Sequence, residues 1–461
     1  MNVLIVESPS KAKSINKYLG SEFKVLASVG HVRDLSAKND AIDTENDFQM
    51  KWETSDRGKK VIKEITDAAK KSKNLYLATD PDREGEAIAW HVEKLLRDNS
   101  SLSKLNIHRV TFNEITKNAV LDSLKEPREI DKNLVNAYLA RRALDFLVGF
   151  TLSPVLWRKL PGSKSAGRVQ SVALRIISER ELEIEKFIPQ EYWSLQGEFT
   201  NKEDKIINSR LTVYEGNKVD KLDIKDEAQA TKIYNDIKNS TFNVAEITKK
   251  EAKRNPYPAF TTSTMQIESS RKLGLSANQT MRTAQKLYEG TDIKGETTGL
   301  ITYMRTDSVI MSNDAINQIR NFVTDNYGNN YLPDSPRVYK SKAKNAQEAH
   351  ECIRPTNISL TPKDVKQYIT SEEFKLYEII WQRSVSSQMA SAVLDQVAVD
   401  ITNEDKKIAL RANGSTIKFP GMYKVYQEAK DDDKDEEKET ILPMMNEGDN
   451  LNLKEAEKTQ H

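Results

Sequence analysis

The stretch "NLYLATDPDREGEAIAWHVEKLL", residues 74–96, joins an apolar run to a dense group of acids. The apolar run reads as a buried strand, and a helix is expected from about Gly85 to Leu96. Acids packed this closely repel one another and raise one another's pKa, so we ask which ligand they hold. The acids are Asp80, Asp82, Glu84, Glu86 and Glu93.

Strands and helices alternate on both sides of this stretch. "NVLIV" (residues 2–6) reads as a short buried strand, and the helix that "ESPSKAK" opens is expected to stop at Gly20. "KVLAS" and "HRVTF" read as further strands, and "ITKNAVLDSL" reads as a helix. This alternation predicts an α/β domain over residues 1–126, with a parallel sheet that has helices on its faces. Ligands usually bind at the carboxyl edge of such a sheet.

The acidic stretch predicts a Mg²⁺ site at that edge. Pro81 disfavours helical geometry at Asp80, so the motif is expected to begin extended, where residues two apart face the same way. Asp80, Asp82 and Glu84 would then converge, and carboxylate oxygens are the ligands that suit Mg²⁺. The alternative is that acids favour a helix N-terminus, which would explain Glu84 and Glu86 but not the two aspartates.

Glu7 ends the first strand at the same edge of the predicted sheet, and Lys11 follows it by four residues. A carboxylate beside a phosphate can move a proton, and an ammonium group can neutralise the charge of a phosphate. The alternative for Glu7 is a solvated cap of its strand.

The pattern changes several times after residue 126. Residues 127–188 read as helical and residues 189–262 as strand-rich, with the proline break "NPYPAF" (255–260) near their end. Residues 263–389 read as helical, and residues 390–461 turn strand-rich again. We therefore expect one β-rich domain, interrupted by a helical insert.

"GLITYMRTDS" (residues 299–308) places Tyr303 and Arg305 two residues apart, on one face of an extended segment. A tyrosine hydroxyl can act as a covalent nucleophile, and a nearby guanidinium can lower its pKa and grip a phosphate. The alternative is that Tyr303, one of 16 tyrosines, packs in a strand. Downstream, His350 and Arg354 would share one face of a helix, although a lone histidine is usually structural.

Two further segments carry candidates for phosphate contacts. Arg141 and Arg142 lie within an apolar helix, where they would contact phosphates or form salt bridges with Asp145. Arg168 follows Gly167, which permits close approach of the backbone to a ligand.

The composition limits the class of protein. A net charge of +1 among 461 residues names no partner, although a basic groove can exist within a neutral total. The single cysteine, Cys352, excludes a disulfide framework and a zinc ribbon within this chain. No run approaches the roughly 20 apolar residues that span a bilayer. We expect a soluble intracellular protein, in which the acidic run 431–439 is a solvated loop.

Together these segments resemble the type IA DNA topoisomerases, in the order typical of that family and over essentially the whole chain. "DPDREGE" alone is less specific, because the Toprim fold also serves primases and nucleases. "TYMRTD" is the specific element, and its Met304 together with "VESPSKAK" indicates the bacterial topoisomerase I branch. The other matching segments are "GHVRDL", "FNEITK", "RRALDFLVGF", "SAGRVQSVAL", "FTTSTMQIESSRKLG" and "EAHECIRPT".

The resemblance implies an architecture of four domains around a central hole. Residues 1–126 would form a Toprim domain with a Rossmann-like parallel sheet, and residues 127–188 would begin a helical DNA-groove domain. Residues 189–262 and 390–461 would form a β-rich arch, and residues 263–389 a helical domain that bears the nucleophilic tyrosine. The resemblance also implies a monomer that works in the bacterial cytoplasm, at the nucleoid.

The resemblance further implies an ATP-independent reaction on single-stranded regions of negatively supercoiled DNA. Tyr303 would cleave one strand and remain joined to its 5′ phosphate, and rejoining after strand passage would relax the DNA. Arg305 would position Tyr303 and stabilise the phosphate charge, Lys11 would stabilise the transition state, and Glu7 would handle the proton of the 3′ oxygen. Mg²⁺ would be held by Asp80, Asp82, Glu84 and Glu7. DNA contacts are implied for His31, Arg83, Arg141, Arg142, Asp145, Gly167, Arg168, Asp307, His350 and Arg354.

Two features of the family are not found in this sequence. The zinc ribbons that usually follow the core need more than one cysteine, and the segment with the Gly-Arg-Pro-Ser-Thr-Tyr signature is not present. We therefore expect a chain truncated at its C-terminus, without the second half of the helical DNA-groove domain. Two other functions stay open: a DNA-binding fragment that truncation leaves inactive or impaired, and a Toprim nuclease or primase-like protein.

Overall fold

The computed structural model of the protein describes residues 1–340, 351–429 and 441–461, so His350 and the acidic run 431–439 lie outside the described residues. The α-helices are α1 (Pro9–Leu19), α2 (Asp56–Ala69), α3 (Arg83–Arg97), α4 (Lys117–Ser123), α5 (Lys132–Lys159), α6 (Arg168–Glu185), α7 (Glu227–Lys238), α8 (Thr262–Leu273), α9 (Ala277–Glu289), α10 (Asn313–Tyr327), α11 (Pro362–Val365) and α12 (Ser371–Ser387). The β-strands are β1 (Asn2–Val6), β2 (Phe23–Ala27), β3 (Arg33–Leu35), β4 (Ile42–Asp43), β5 (Gln49–Met50), β6 (Trp52–Thr54), β7 (Asn74–Leu77), β8 (Asn106–Arg109), β9 (Trp193–Thr200), β10 (Ile206–Tyr214), β11 (Asn217–Lys218), β12 (Phe242–Arg254), β13 (Thr291–Ile293), β14 (Glu296–Thr298), β15 (Ala392–Asn403), β16 (Ala409–Phe419) and β17 (Asn450–Gln460).

The N-terminal part of the chain forms the predicted parallel sheet, with strand order β2-β1-β7-β8. Its central strand β1 is apolar and buried from Val3 to Val6, as expected for a strand that helices cover on both faces. The core beneath it includes Ile65 of α2 and Val92 of α3. Because β1 and β7 run parallel as neighbours, the residues that follow them emerge at one edge of the sheet.

Residues 33–69 contain elements that the sequence did not predict. The short strands β3 to β6 pair as β3 with β6 and β4 with β5, and α2 follows them. Gly58 lies in the first turn of α2, where a Cβ atom would be 2.0 Å from the carbonyl oxygen of Val32. Glycine therefore allows α2 to pack directly against this strand region.

Two helices occupy the stretch read as helical after residue 126. Asp131 caps α5 by accepting hydrogen bonds from the backbone N–H groups of Asn133 and Leu134. No residue of α6 is buried, although the helix carries large apolar side chains such as Leu174 and Ile177, which are 65% and 64% exposed. Within residues 1–340, 351–429 and 441–461, no helix is long and apolar enough to cross a membrane.

A segment without regular structure connects β14 to α10 and carries Tyr303. Its backbone is held on two sides: the N–H of Tyr303 donates to the carbonyl oxygen of Asn113 at 2.8 Å, and the N–H of Thr302 donates to that of Arg354 at 2.9 Å. The preceding helix α9 has the predicted capping box, in which Ser276 and Gln279 satisfy each other's backbone N–H groups. The Tyr303 backbone is therefore fixed against the residues that follow β8.

The chain divides into two compact units. The first comprises Met1–Glu183, Tyr257–Asn326 and Asp334–Gln388. It contains the parallel sheet, the strands β3 to β6, the segment that carries Tyr303, and the helices α2, α3, α5 and α9. It also contains α6 and α10 except for their last residues. The second comprises Ile184–Pro256, Tyr327–Pro333 and Met389–His461.

The second unit is built on a seven-stranded sheet with the order β11-β10-β16-β15-β12-β17-β9. β10 also pairs with β9, so the sheet closes on itself. Its strands come from both strand-rich stretches of the sequence. The sequence did not predict α7, which lies between two of these strands and contributes Ala230, Ile233 and Ile237 to the core of the unit.

Candidate active site

The acidic loop between β7 and α3 is fixed by its own backbone and by a buried arginine. Asp82 caps α3, because its Oδ1 accepts a hydrogen bond from the N–H of Gly85 at 2.8 Å. A Cβ atom on Gly85 would lie 2.2 Å from the carbonyl oxygen of Asp80, so this close turn requires glycine. Arg109 donates to the same carbonyl oxygen at 2.8 Å and forms a fully buried ion pair with Glu86.

Lys11 joins the first strand end to the acidic loop. The sheet brings Glu7 and Asp80 to one edge, and the buried ammonium group of Lys11 donates to both carboxylates. Its Nζ lies 2.5 Å from Asp80 Oδ1. A lysine that is fully buried needs such partners, because an unpaired charge in the interior is very costly.

Tyr303 and Arg305 reach the acidic loop from the segment before α10. The buried hydroxyl of Tyr303 donates to Asp82 Oδ2 at 2.6 Å. Arg305 Nη1 lies 3.0 Å from Glu84 Oε2 and 3.8 Å from Asp82 Oδ2. The structure thus brings the predicted nucleophile, the predicted guanidinium and the predicted acids together.

The pKa of Tyr303 is raised, which differs from what the sequence suggested. Burial is the largest cause, and the charges of Asp80 and Asp82 add to it. Arg305 acts in the expected direction and lowers the pKa, but its effect is the smaller one. The phenol is therefore protonated and acts as a hydrogen-bond donor, so it would have to give its proton to another group to act as a nucleophile.

The first turn of α3 carries Glu84 into contact with Arg305 and His31. Its carboxylate pairs with Arg305, and Oε1 lies 3.7 Å from His31 Nε2. Interaction with His31, supported by Arg305 and opposed by burial, lowers the pKa of Glu84 to about 2. Glu84 is therefore ionised at neutral pH.

The expected convergence of three carboxylates on one point is wrong for this arrangement. The helix begins at Arg83, earlier than predicted, so Glu84 belongs to a helical turn and does not continue the extended run of Asp80 and Asp82. Lys11, Tyr303 and Arg305 each donate a hydrogen bond to a different one of the three acids. Among the residues that the structure describes, no group of three or more acids, histidines or cysteines is spaced to hold a metal ion.

The chemistry of the donor set nevertheless suits a hard cation. Four carboxylates lie at the site, and Glu7 Oε2 is buried without a hydrogen-bond partner. Mg²⁺ commonly binds through one or two carboxylates and completes its shell with water and phosphate, so three converging acids are not required.

A polar cleft of about 580 Å³ opens beside these residues and is lined by charged side chains from several elements. Arg142 pairs with Asp34 at 2.8 Å, and Arg168 pairs with Asp145 at 2.8 Å. Gly167 immediately precedes α6. The predicted DNA-binding residues in the cleft wall are His31, Arg83, Arg141, Arg142, Asp145 and Asp307.

Arg354 does not fit the expectation of a DNA contact. It is 7% exposed, and its guanidinium pairs with Glu351 at 2.6 Å and with Glu114 at 3.2 Å. The arginine instead ties the residues after β8 to the segment beside Tyr303. His350, predicted with it, lies outside the described residues.

Three residues of the site were missed by the sequence analysis. Arg109 supports the acidic loop, Tyr138 stacks on His31 in the cleft with ring centroids 5.4 Å apart, and Tyr288 donates to Asp80. The signal for Arg109 was a charged residue within "HRVTF", a run that reads as a strand of the sheet. The two tyrosines lie on helices, and the hydrophobic periodicity of a helix does not distinguish a site residue from an ordinary core residue.

Residues 2–115 match the model described as Toprim domain. Residues 129–461 match the model described as DNA topoisomerase. This second match covers more than half of the chain, which therefore belongs to the DNA topoisomerase family. The resemblance to the bacterial topoisomerase I branch is confirmed by the relatives below.

The chain is similar to proteins named DNA topoisomerase 1 from Rickettsia felis, with 52% identity over 462 residues, and from Xylella fastidiosa, with 48% identity over 466 residues. These alignments cover 100% of this chain but 59% and 57% of the two relatives, so the chain spans less than two thirds of their length. The structure of full-length topoisomerase I from Thermotoga maritima matches with a TM-score of 0.83 and 35% identity. That match covers 100% of this chain and 72% of the other.

Proposed function

We propose that this chain cleaves and rejoins one strand of DNA through a covalent 5′-phosphotyrosine at Tyr303, without ATP. The observation that carries the proposal is the hydrogen bond from the Tyr303 hydroxyl to Asp82, with Arg305 beside both. This arrangement supports roles for Tyr303 as nucleophile, for Asp82 as proton acceptor and for Arg305 as phosphate-binding cation within one site. Passage of a DNA strand through the break, between cleavage and rejoining, would relax negatively supercoiled DNA. The substrate would be a single-stranded region of that DNA.

The residues divide the reaction between them. Asp82 Oδ2 accepts a hydrogen bond from the Tyr303 hydroxyl and would take its proton as the phenolic oxygen bonds to phosphorus. The bond from phosphorus to the 3′ oxygen breaks, and Glu7, an ionised carboxylate beside Lys11, would pass a proton from solvent to this oxygen. Rejoining is the reverse attack of the 3′ hydroxyl on the phosphotyrosine, which conserves the energy of the phosphodiester.

Cations next to the reacting phosphate lower the barrier. Arg305, whose Nη1 lies 3.8 Å from the Asp82 oxygen that binds Tyr303, can bind two phosphate oxygens at once, and Lys11 adds a buried positive charge. Mg²⁺ would be held by carboxylates from the set Glu7, Asp80, Asp82 and Glu84, and when bound it would neutralise phosphate charge.

The cleft beside Tyr303 is the proposed path of the DNA strand. Arg83, Arg141 and Arg142 line it and can contact phosphates, while His31 and the stacked Tyr138 offer aromatic surface. We propose a monomer that acts on chromosomal DNA in the bacterial cytoplasm.

The test is incubation of the chain with end-labelled single-stranded DNA and Mg²⁺, followed by denaturation and a search for a covalent adduct. Tyr303→Phe should abolish the adduct and leave DNA binding within a few-fold, because binding depends on many phosphate contacts. Tyr377→Phe is the matched control, since it also removes a buried hydroxyl, one that donates to the carbonyl oxygen of Leu360.

The outcomes separate the three candidate functions. An adduct that forms at the normal level in Tyr303→Phe would end the assignment of the nucleophile. Cleavage without any adduct in the unmodified chain would favour the Toprim nuclease. Binding without cleavage would favour a DNA-binding protein.

A further inference from the structure

We propose that Tyr288 is a positioning residue of the cleavage reaction, which holds Lys11 and Asp80 in place only while the Toprim residues contact the segment that bears Tyr303. The inference rests on the proposed function. It assigns a role to a residue that neither strand-end logic nor the family resemblance picks out.

Three groups of the site contact the side chain of Tyr288. Its hydroxyl donates to Asp80 Oδ1 at 3.2 Å, and the Nζ atom of Lys11 lies 4.7 Å from the centroid of its ring. Its ring also meets that of Tyr303 nearly edge to face, with centroids 5.3 Å apart. One buried residue thus contacts the proposed nucleophile, the proposed cation and one proposed metal ligand.

The ring completes the surroundings of the Lys11 ammonium group. Lysine has three N–H donors, and Glu7 and Asp80 accept from Lys11. The face of an aromatic ring attracts a cation, and the attraction is strongest where water is excluded, as it is around the fully buried Lys11 and Tyr288. The ring therefore selects the position in which Lys11 lies between the two carboxylates.

The backbone of Tyr288 is fixed close to the segment that carries the nucleophile. A Cβ atom on Gly299 would lie 2.5 Å from the carbonyl oxygen of Tyr288, so the two chains touch where only glycine fits. Next to this contact, the N–H of Leu300 donates to the carbonyl oxygen of Leu287 at 2.7 Å. Tyr288 and Tyr303 are thus parts of one rigid contact.

Tyr288 and its charged partners belong to different parts of the chain. Lys11 and Asp80 lie within the Toprim match, residues 2–115, whereas Tyr288 and Tyr303 lie within residues 129–461. When these two parts separate, Lys11 loses the aromatic ring and Asp80 loses a hydrogen-bond donor. Tyr288 thereby makes the reactive arrangement depend on contact between the two parts, which limits cleavage to the closed state.

The test compares Tyr288→Phe and Tyr288→Leu with the buried control Tyr377→Phe. Tyr288→Phe keeps the ring and should slow single-turnover formation of the adduct about fivefold, the usual effect of one lost hydrogen bond. Tyr288→Leu also removes the ring and should slow it by about a hundredfold. The dissociation constant for single-stranded DNA should stay within about threefold in both, and Tyr377→Phe should cleave at the normal rate.

The split between rate and binding separates positioning from a purely structural role. Cleavage by Tyr288→Leu within twofold of the normal rate would overturn the inference. The inference would also be overturned if Tyr288→Leu lost cleavage, DNA binding and melting temperature in parallel and Tyr288→Phe lost them to the same extent.

A cycle of melting temperatures tests the contact without any catalysis. Tyr288→Leu should lower the melting temperature less in a Lys11→Met background than in the unmodified chain, because the cation over the ring is already gone. Additive shifts would contradict the inference. If the unmodified chain forms no adduct, the proposed function fails while this cycle still decides whether Tyr288 holds Lys11.

Discussion

Replacing Lys11 by methionine should destabilise the first unit far more than replacing an exposed lysine. Lys11 is fully buried between Glu7 and Asp80, whose side chains are each 13% exposed. Methionine fills a similar volume but leaves two carboxylates close together without their cation. Asp80 keeps the hydroxyl of Tyr288, whereas Glu7 Oε2 already lacks a partner.

The expected loss follows from the cost of breaking a buried ion pair from one side, which is about 3–5 kcal/mol. The matched control is Lys17→Met. Lys17 pairs with Asp292 at 3.2 Å, and the two side chains are 41% and 57% exposed, so its loss should cost less than about 1 kcal/mol.

Urea unfolding, followed by tryptophan fluorescence, measures both variants against the unmodified chain. Mg²⁺ should restore part of the stability of Lys11→Met, because a cation that binds these carboxylates stabilises the folded state by about 2.7 kcal/mol at 100 times its dissociation constant. A loss below about 1 kcal/mol in Lys11→Met would refute the argument from burial. Failure of Mg²⁺ to stabilise either chain would contradict the metal site at Glu7 and Asp80.

Two further predictions concern the acids. Asp80→Ala combined with Asp82→Ala should impair Mg²⁺-dependent rejoining more than DNA binding, and an unchanged Mg²⁺ titration of rejoining would count against carboxylate ligation. Arg305→Gln should lose about 1 kcal/mol or less at pH 7, because the Glu84 side chain is 53% exposed and its ion pair is screened. His31 first, and Arg305 after it, hold the pKa of Glu84 in the folded protein at about 2, below its ordinary value of 4.5, so the part of the stabilisation that Arg305 contributes is present above pH 4.5 and disappears as the pH falls towards 2. Acid titration of the unfolding free energy measures it, and a difference between the two chains that persists at pH 2 would contradict the assignment.

Local sequence patterns predicted the two central strands of the parallel sheet well, because β1 and β7 are short apolar runs that a helix signal follows. β1, β7 and α3 lie close to their predicted bounds. The strands β3 to β6 span only two or three residues each, too few for an alternating pattern, and α7 is hidden within a strand-rich stretch.

The part of the site that lies at the ends of neighbouring parallel strands was predictable from the sequence. Glu7 and Asp80 meet because β1 and β7 are parallel neighbours, which strand-end logic anticipates. The bond between Tyr303 and Asp82 joins residues 221 positions apart, and no local pattern specifies such a contact. The family resemblance implied that Tyr303 acts together with the Toprim acids, but it did not imply the bond to Asp82, nor that Lys11, Tyr303 and Arg305 would each donate a hydrogen bond to a different acid.

The closed sheet of the second unit sets an order of events during synthesis on the ribosome. β17 lies between β12 and β9, and about 200 residues separate the end of β12 from the start of β17. At about 5–20 residues per second, the earlier strands would wait roughly 10–40 seconds for this partner. Their open edges are templates for pairing with other chains in that interval. The nascent sheet of the second unit is thus most exposed to aggregation before β17 leaves the ribosome.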